Sequence, residues 1–204
     1  MPQPLSRLAP RAGYEIGNVG CRTLAQRPQL AILAMEAIAA WSHVENFMLR
    51  MYVQMAGGQQ ADAAAVYLAL ESNSVKTKAI NVLAERKLEP GNLRLLRALI
   101  KVAKSAQKER DKLAHWIWGS TPELPDALLL SDPRNQNHAA EEILVYRAED
   151  FEQMRVKFER IAEWSHLFYF ILMNHVANRG GRLYEKLCRE PEIAEILDRQ
   201  AQQE

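Results

Sequence analysis

The sequence predicts an all-α fold, a helical bundle with three long antiparallel helices and short accessory helices. In three long segments the apolar residues recur at alternating intervals of three and four, which is the period of an amphipathic α-helix. Only residues 128–130 and 143–146 read as strands. Since 48% of the 204 residues are apolar, the chain can bury a substantial core.

The N-terminal arm, residues 1–26, carries three prolines and three glycines and has no clean period. A single helical domain is predicted over residues 27–204. Its first long helix begins at Pro28, because proline is tolerated in a first helical turn, and ends at Gly57.

Shorter elements follow the first long helix. Residues 61–70 predict a short helix, and Ser72 or Ser74 is the expected cap of another helix that ends near residue 88. A second long helix is expected over residues 92–118 because a proline–glycine pair precedes it and a glycine follows it.

The segment 119–148 is predicted to be an inserted loop, and the two strand-like runs fit a small β-hairpin within it. The third long helix is expected over residues 149–178, where it ends before two adjacent glycines. The last short helix is expected to start near Pro191.

Composition excludes several classes of protein. The chain has 26 basic and 25 acidic side chains, so a globally basic nucleic-acid coat is excluded while a local basic patch is not. Cys21 and Cys188 are the only cysteines and no Cys/His cluster accompanies them, so we expect no metal and no disulfide framework. No nucleotide-binding glycine motif is present, and we expect no cofactor. The longest apolar run is too short to cross a membrane, so a cytoplasmic protein without membrane contacts is expected.

The second long helix carries the candidate chemistry. On a helical wheel its cationic residues other than Arg110 fall within one arc, and that arc leads to His115 at the predicted helix end. We call this arc the basic stripe; it contains Arg94, Arg97, Lys101, Lys104, Lys108, Asp111, Lys112 and His115. The opposite arc is apolar and contains Leu95, Leu99, Val102, Ala106, Leu113 and Ile117.

Two polar residues accompany the histidine. Asp111 lies four residues before His115, so the two side chains can touch, and both Asp111 and the helix dipole favour a protonated imidazole. Arg110 lies about 140° from His115 on the same wheel, at the edge of the apolar arc. Its guanidinium needs a carboxylate such as that of Glu45, or a cleft formed with a second copy of the chain. A site that uses both Arg110 and His115 requires a frayed helix end or a dimer.

The sequence Arg110-Asp111-Lys-Leu-Ala-His115, at the end of a long helix and followed by Trp116 and Gly119, resembles the R-x4-6-H motif of HEPN domains. The polar residue after the arginine and the long-helix architecture also fit that family. The similarity covers roughly residues 28–178. It implies a homodimer in which the paired motifs line a cleft, and Glu45 is our candidate for the acidic residue that recurs on the first long helix.

Many HEPN proteins are metal-independent endoribonucleases of toxin–antitoxin, phage-defence or RNA-processing systems, and this activity is what the resemblance implies. Arg110 and His115 are then the catalytic residues, and Asp111 orients the histidine. Lys104, Lys108 and Lys112 are expected to hold RNA phosphates. An antitoxin or defence protein is the expected additional partner.

Two alternatives stay open. The first is a catalytically inactive HEPN-like dimer that binds RNA, a nucleotide or a partner protein. The second is a helical interaction module with no role in nucleic-acid chemistry. The dimer is expected to form through the apolar C-terminal half of the third long helix. We interpret the tryptophans as packing residues rather than base-stacking platforms.

Overall fold

The computed structural model describes residues 2–8, 18–20, 22–134 and 142–202, and it is mostly helical. Eight α-helices lie in this described part: α1 (Arg22–Gln26), α2 (Pro28–Ala56), α3 (Gln60–Ala69), α4 (Asn73–Lys87), α5 (Pro90–His115), α6 (Ala148–Leu172), α7 (Arg182–Cys188) and α8 (Pro191–Ala201). Five strands accompany them: β1 (Gln3–Pro4), β2 (Asn18–Val19), β3 (Ile117–Ser120), β4 (Ala127–Ser131) and β5 (Ile143–Arg147). Short 3₁₀ turns occupy Leu5–Arg7 and Val176–Gly181.

The three long helices are confirmed as α2, α5 and α6, but two of their predicted ends are wrong. Helix α5 stops at His115 rather than at residue 118, because the next residues leave the helix and pair with β4. Helix α6 stops at Leu172 rather than at residue 178, because Asn174 adopts a positive φ of 50°. A residue in this left-handed region commonly terminates a helix.

The predicted hairpin is confirmed and belongs to a larger sheet. Strands β4 and β5 pair antiparallel with Leu129 opposite Val145, and the full strand order is β1-β5-β4-β3-β2. The strand that follows α5 begins at Ile117, just before the predicted loop. The arm contributes both edge strands, with β1 paired to β5 and β2 paired to β3, although its sequence shows no regular period.

Both faces of the sheet are covered, and all five residues of β4 are buried for that reason. One face packs under the N-terminal segment, in a cluster of Leu5, Leu124, Ala127, Leu129, Ile143 and Val145. On the other face, the Tyr146 ring stacks on Phe151 of α6 with 5.5 Å between ring centroids. Trp118 stacks on the same Phe151 ring at 6.3 Å. The end of α5 thus continues directly into a strand of a packed sheet.

Contacts divide the chain into two compact units. Unit 1 comprises Met1–Trp41 and Ala106–Phe158 and contains the sheet together with the last turns of α5. Unit 2 comprises Ser42–Ser105 and Glu159–Glu204. Unit 2 contains a row of four rings in contact, with successive centroids 4.6, 4.3 and 4.4 Å apart, formed by Phe47, His166, Phe170 and His175.

Helix α4 provides a test of the predicted capping residue. The Ser72 hydroxyl accepts a hydrogen bond of 3.2 Å from the Val75 backbone N–H, whereas Ser74 lies inside the first turn and is exposed. We expect Ser72→Ala to lower the free energy of unfolding by about 1 kcal/mol, because an orphan N–H of the first turn loses its acceptor. Ser74→Ala is the matched control and is expected to change it by less than about 0.5 kcal/mol. Urea unfolding measures both, and equal losses in the two variants would exclude Ser72 as the cap.

Candidate active site at the C-terminal end of helix α5

Helix α5 has the two faces that its sequence predicts. Its apolar side is buried, with Leu95, Ala106 and Leu113 each no more than 2% exposed. The cationic side is accessible: Arg94, Arg97, Lys101, Lys104 and Lys108 are exposed, and Lys112 is half-buried. Glu85 of α4 pairs with Arg97 at 2.6 Å and neutralises that charge. Because Lys104 and Lys108 are exposed, both of these predicted phosphate-binding residues are accessible to a ligand.

The position of His115 is set by the junction between α5 and β3. His115 is the last residue of the helix and its side chain is exposed. The next backbone N–H, of Trp116, donates to the Lys112 carbonyl at 2.9 Å and closes the final helical turn. Ile117 then begins β3 and pairs with Ser131. An imidazole at this junction is reachable by a ligand while its backbone is held by hydrogen bonds on both sides.

Arg110 is half-buried, with 21% of its side chain exposed, and its Nε atom is shielded from solvent. Its Nη1 donates to the Asp111 carboxylate at 3.2 Å. The acidic residue predicted to orient His115 therefore contacts the arginine of the motif in this structure. An orienting contact between Asp111 and His115 stays a prediction for another state of the site.

Arg110 and His115 both lie within the regular part of α5. Five residues at about 100° each place their side chains about 140° apart around the helix axis. A frayed helix end, one of the two arrangements that would bring Arg110 and His115 into one site, is therefore not observed. If the two side chains act together, the remaining route is a cleft shared with a second copy of the chain.

Glu109 and Trp116 both contact Lys112, and these two contacts were not predicted from the sequence. The Lys112 Nζ lies 2.8 Å from a Glu109 carboxylate oxygen and 5.5 Å from the centroid of the Trp116 ring. The spacings of three and four residues place such pairs on one helix face, so the sequence did hold a signal for these contacts. Lys112 is thus held by a carboxylate and an aromatic face in the free protein.

Tyr146 of β5 is a buried phenol on the same side of the sheet as α6. Its hydroxyl is shielded from solvent and finds no hydrogen-bond partner among the residues that the structure describes. Burial raises the pKa of this phenol far above its ordinary value, and the Glu109 and Asp150 carboxylates raise it further. Tyr146 therefore stays protonated at every physiological pH.

Glu45, the predicted supporting acid, lies on α2 in unit 2, whereas Arg110 lies in unit 1. Its side chain is exposed, and its carboxylate is one of the causes that raise the pKa of Tyr67 to about 12, after burial of that phenol. Its support of Arg110 stays a prediction.

The apolar end of α6 is only partly available for a dimer contact. Trp164, Phe168 and Ile171 are buried within one copy of the chain. The half-buried residues there are Leu167, Phe170 and Leu172. The crowding of apolar residues is therefore explained in part by packing inside the protomer, and the dimer through this helix stays a prediction.

Neither metal-binding geometry nor similarity to known proteins narrows the assignment of the site. In residues 2–8, 18–20, 22–134 and 142–202, no group of three His, Cys, Asp or Glu side chains is arranged to hold a metal ion. No described helix is both long and apolar enough to cross a membrane. The chain matches no known protein family, no curated protein and no solved structure.

Proposed function

We propose that this protein is a metal-independent endoribonuclease of the HEPN type, with Arg110 and His115 as catalytic residues in a cleft between two copies of the chain. One observation carries the proposal: an exposed histidine, fixed at a helix–strand junction, follows a half-buried arginine by five residues on a helix with exposed lysines. These are the groups that cleavage of RNA by its own 2′-hydroxyl requires.

The reaction needs a base, an acid and a positive charge. The base removes the proton of the 2′-hydroxyl, the 2′-oxygen attacks the adjacent phosphorus, and the bond to the 5′-oxygen breaks as an acid protonates that oxygen. The products are a 2′,3′-cyclic phosphate and a 5′-hydroxyl. Imidazoles suit the acid and base steps because they titrate near neutral pH. In a two-fold dimer, the His115 of each copy takes one of these two roles.

Arg110 is suited to stabilise the negative charge that develops on the non-bridging oxygens of the phosphorane. A guanidinium is always charged and presents five N–H donors in a plane that matches phosphate oxygens. Asp111 accepts from one of its nitrogens, and this ion pair restricts the orientation of the guanidinium before substrate binds.

The lysines of α5 suit the rest of the RNA backbone. Exposed Lys104 and Lys108 carry charges that attract phosphates without reading bases. Each phosphate contact releases counterions, so binding weakens as salt increases. For single strands, a plot of the logarithm of the association constant against the logarithm of the salt concentration has a slope of about −0.7 per phosphate neutralised.

Cleavage assays with three substrates test the proposal. We expect the full chain to cut single-stranded RNA in the presence of EDTA, to leave a cyclic phosphate, and to leave DNA of the same sequence intact. Only RNA carries the nucleophile, and no metal participates. Cleavage that EDTA abolishes, or equal cleavage of the DNA, would contradict the mechanism. Salt-sensitive RNA binding without cleavage would instead support the catalytically inactive alternative.

A further inference from the structure

The sequence predicts packing roles for all four tryptophans, but the surroundings of Trp116 differ from those of the other three. Trp41 and Trp164 are buried, at 4% and 1% exposure, and the partly exposed Trp118 stacks on the Phe151 ring. Trp116 is partly exposed and directly follows His115. In the part of the chain that the structure describes, its ring stacks on no other aromatic ring, and a lysine ammonium lies over it instead.

The group over this ring can be displaced. The Lys112 Nζ lies 5.5 Å from the ring centroid and is also bound to Glu109 at 2.8 Å, so it keeps an ion-pair partner near the ring. A cation–π contact at an accessible site is weaker than the stacking of a nucleobase on an aromatic side chain. A base that reaches Trp116 therefore replaces Lys112 on the ring with a net gain.

The backbone that carries the ring is held in place before any ligand arrives. The backbone N–H of Trp116 donates a hydrogen bond to the Lys112 carbonyl, and β3 begins at the next residue. A stacking surface on such a fixed backbone costs little conformational entropy on binding. His115 and Trp116 are consecutive residues whose Cα atoms lie about 3.8 Å apart, so the two side chains can contact neighbouring parts of one bound strand.

We propose that Trp116 is the stacking platform for one unpaired nucleobase beside the phosphate that is cut, and that Lys112 moves from the ring to the RNA backbone when the base binds. This inference rests on the proposed nuclease function and assigns its substrate class: RNA whose bases are unpaired at the cleavage site. Paired bases are stacked inside a duplex and cannot reach the ring.

Binding is measured with the full chain carrying His115→Ala, so that RNA stays intact, using a fluorescent single-stranded uridine oligomer and an RNA duplex. We expect Trp116→Leu to bind the single strand about 10- to 100-fold more weakly, and Trp116→Phe to lose much less because an aromatic face remains. Duplex affinity is expected to be unchanged. Tyr184→Leu, which removes a half-buried ring of α7 in unit 2, is the control and should keep the parent affinity.

A second variant tests the movement of Lys112. We expect Lys112→Met to flatten the salt dependence of single-strand binding by about 0.7 in slope, the contribution of one phosphate. A slope equal to that of the parent would show that Lys112 does not reach the backbone and would contradict this step.

The inference and the proposed function fail in different ways. If wild-type protein cleaves RNA while Trp116→Leu binds the single strand as tightly as its parent, the stacking platform is wrong and the nuclease stands. If the parent binds neither single-stranded nor duplex RNA at low salt, both are wrong. Equal losses of single-strand and duplex affinity in Trp116→Leu would also overturn the platform, because stacking on paired bases is not available.

Discussion

Replacing His115 with alanine should abolish detectable RNA cleavage while leaving the fold intact. A positioned acid or base contributes about 10²- to 10⁴-fold to a proton-transfer step, and the substitution removes the imidazole from both copies of the proposed dimer. The side chain is exposed at the helix end, so its loss should change the free energy of unfolding by less than about 0.5 kcal/mol. The measurement is the single-turnover cleavage rate of a labelled RNA, with thermal unfolding recorded on the same sample.

His43→Ala is the matched control for this experiment. His43 is an exposed histidine of α2 to which no chemistry is assigned, so its replacement should leave the cleavage rate within a factor of two. A His115→Ala protein that cuts RNA as fast as wild type would remove His115 from the mechanism. A loss of activity in both variants alike would show that surface histidines act only through general effects on the protein.

Replacing Arg110 with lysine should lower kcat by about 10²- to 10³-fold, the usual effect of removing a donor aimed at transition-state charge. Lysine keeps the positive charge but not the planar fork that contacts two phosphate oxygens. Because the lost contact is made to the developing charge, kcat and kcat/KM should fall by similar factors. Steady-state kinetics on a defined RNA substrate measures both.

Arg86→Lys is the control for the arginine, because Arg86 is an exposed arginine in the last turn of α4. It should retain wild-type kinetics. A rise in KM with unchanged kcat in Arg110→Lys would mean that Arg110 only binds the ground state of the substrate. Because Arg110 is half-buried, circular dichroism must show that the variant keeps its helical content before its kinetics are interpreted.

The helices could be predicted from the sequence because their signals are local. The spacing of apolar residues defines α2, α5 and α6, and Ser72 and Pro191 mark the starts of α4 and α8. The buried and exposed faces of α5 followed from the same spacing. Each of these signals lies within about four residues of the feature that it predicts.

The end of α5 and the extent of the sheet could not be predicted in this way. The residues after His115 continue the apolar period of the helix, but their bulky side chains also suit a strand, and pairing with β4 decides the outcome. Strands β1 and β2 are two residues long and exist only through pairing with distant parts of the chain. The residues within a short stretch of sequence do not indicate which distant strand that stretch will pair with.

The candidate site likewise has features that the sequence predicted and contacts that it did not predict. The sequence placed His115 at a helix end and Arg110 near the boundary of the apolar face, and both placements agree with the structure. It did not predict that Asp111 would pair with Arg110, nor that Lys112 would lie over Trp116, since several partners were sterically open to each side chain. The resemblance to HEPN domains organises these residues into a mechanism, and the activity itself stays a proposal.

The distance between two copies of the α5 end tests the central claim most directly. A spin label on a cysteine at exposed Ala114, with Cys21 and Cys188 replaced by serine, reports this distance by electron–electron dipolar coupling in protein that still cleaves RNA. Two helix ends that flank one groove should give a distance below about 30 Å, roughly two helix diameters plus the label tethers. An absence of dipolar coupling at concentrations where the protein is active, or distances only well beyond this value, would contradict a cleft shared between two copies.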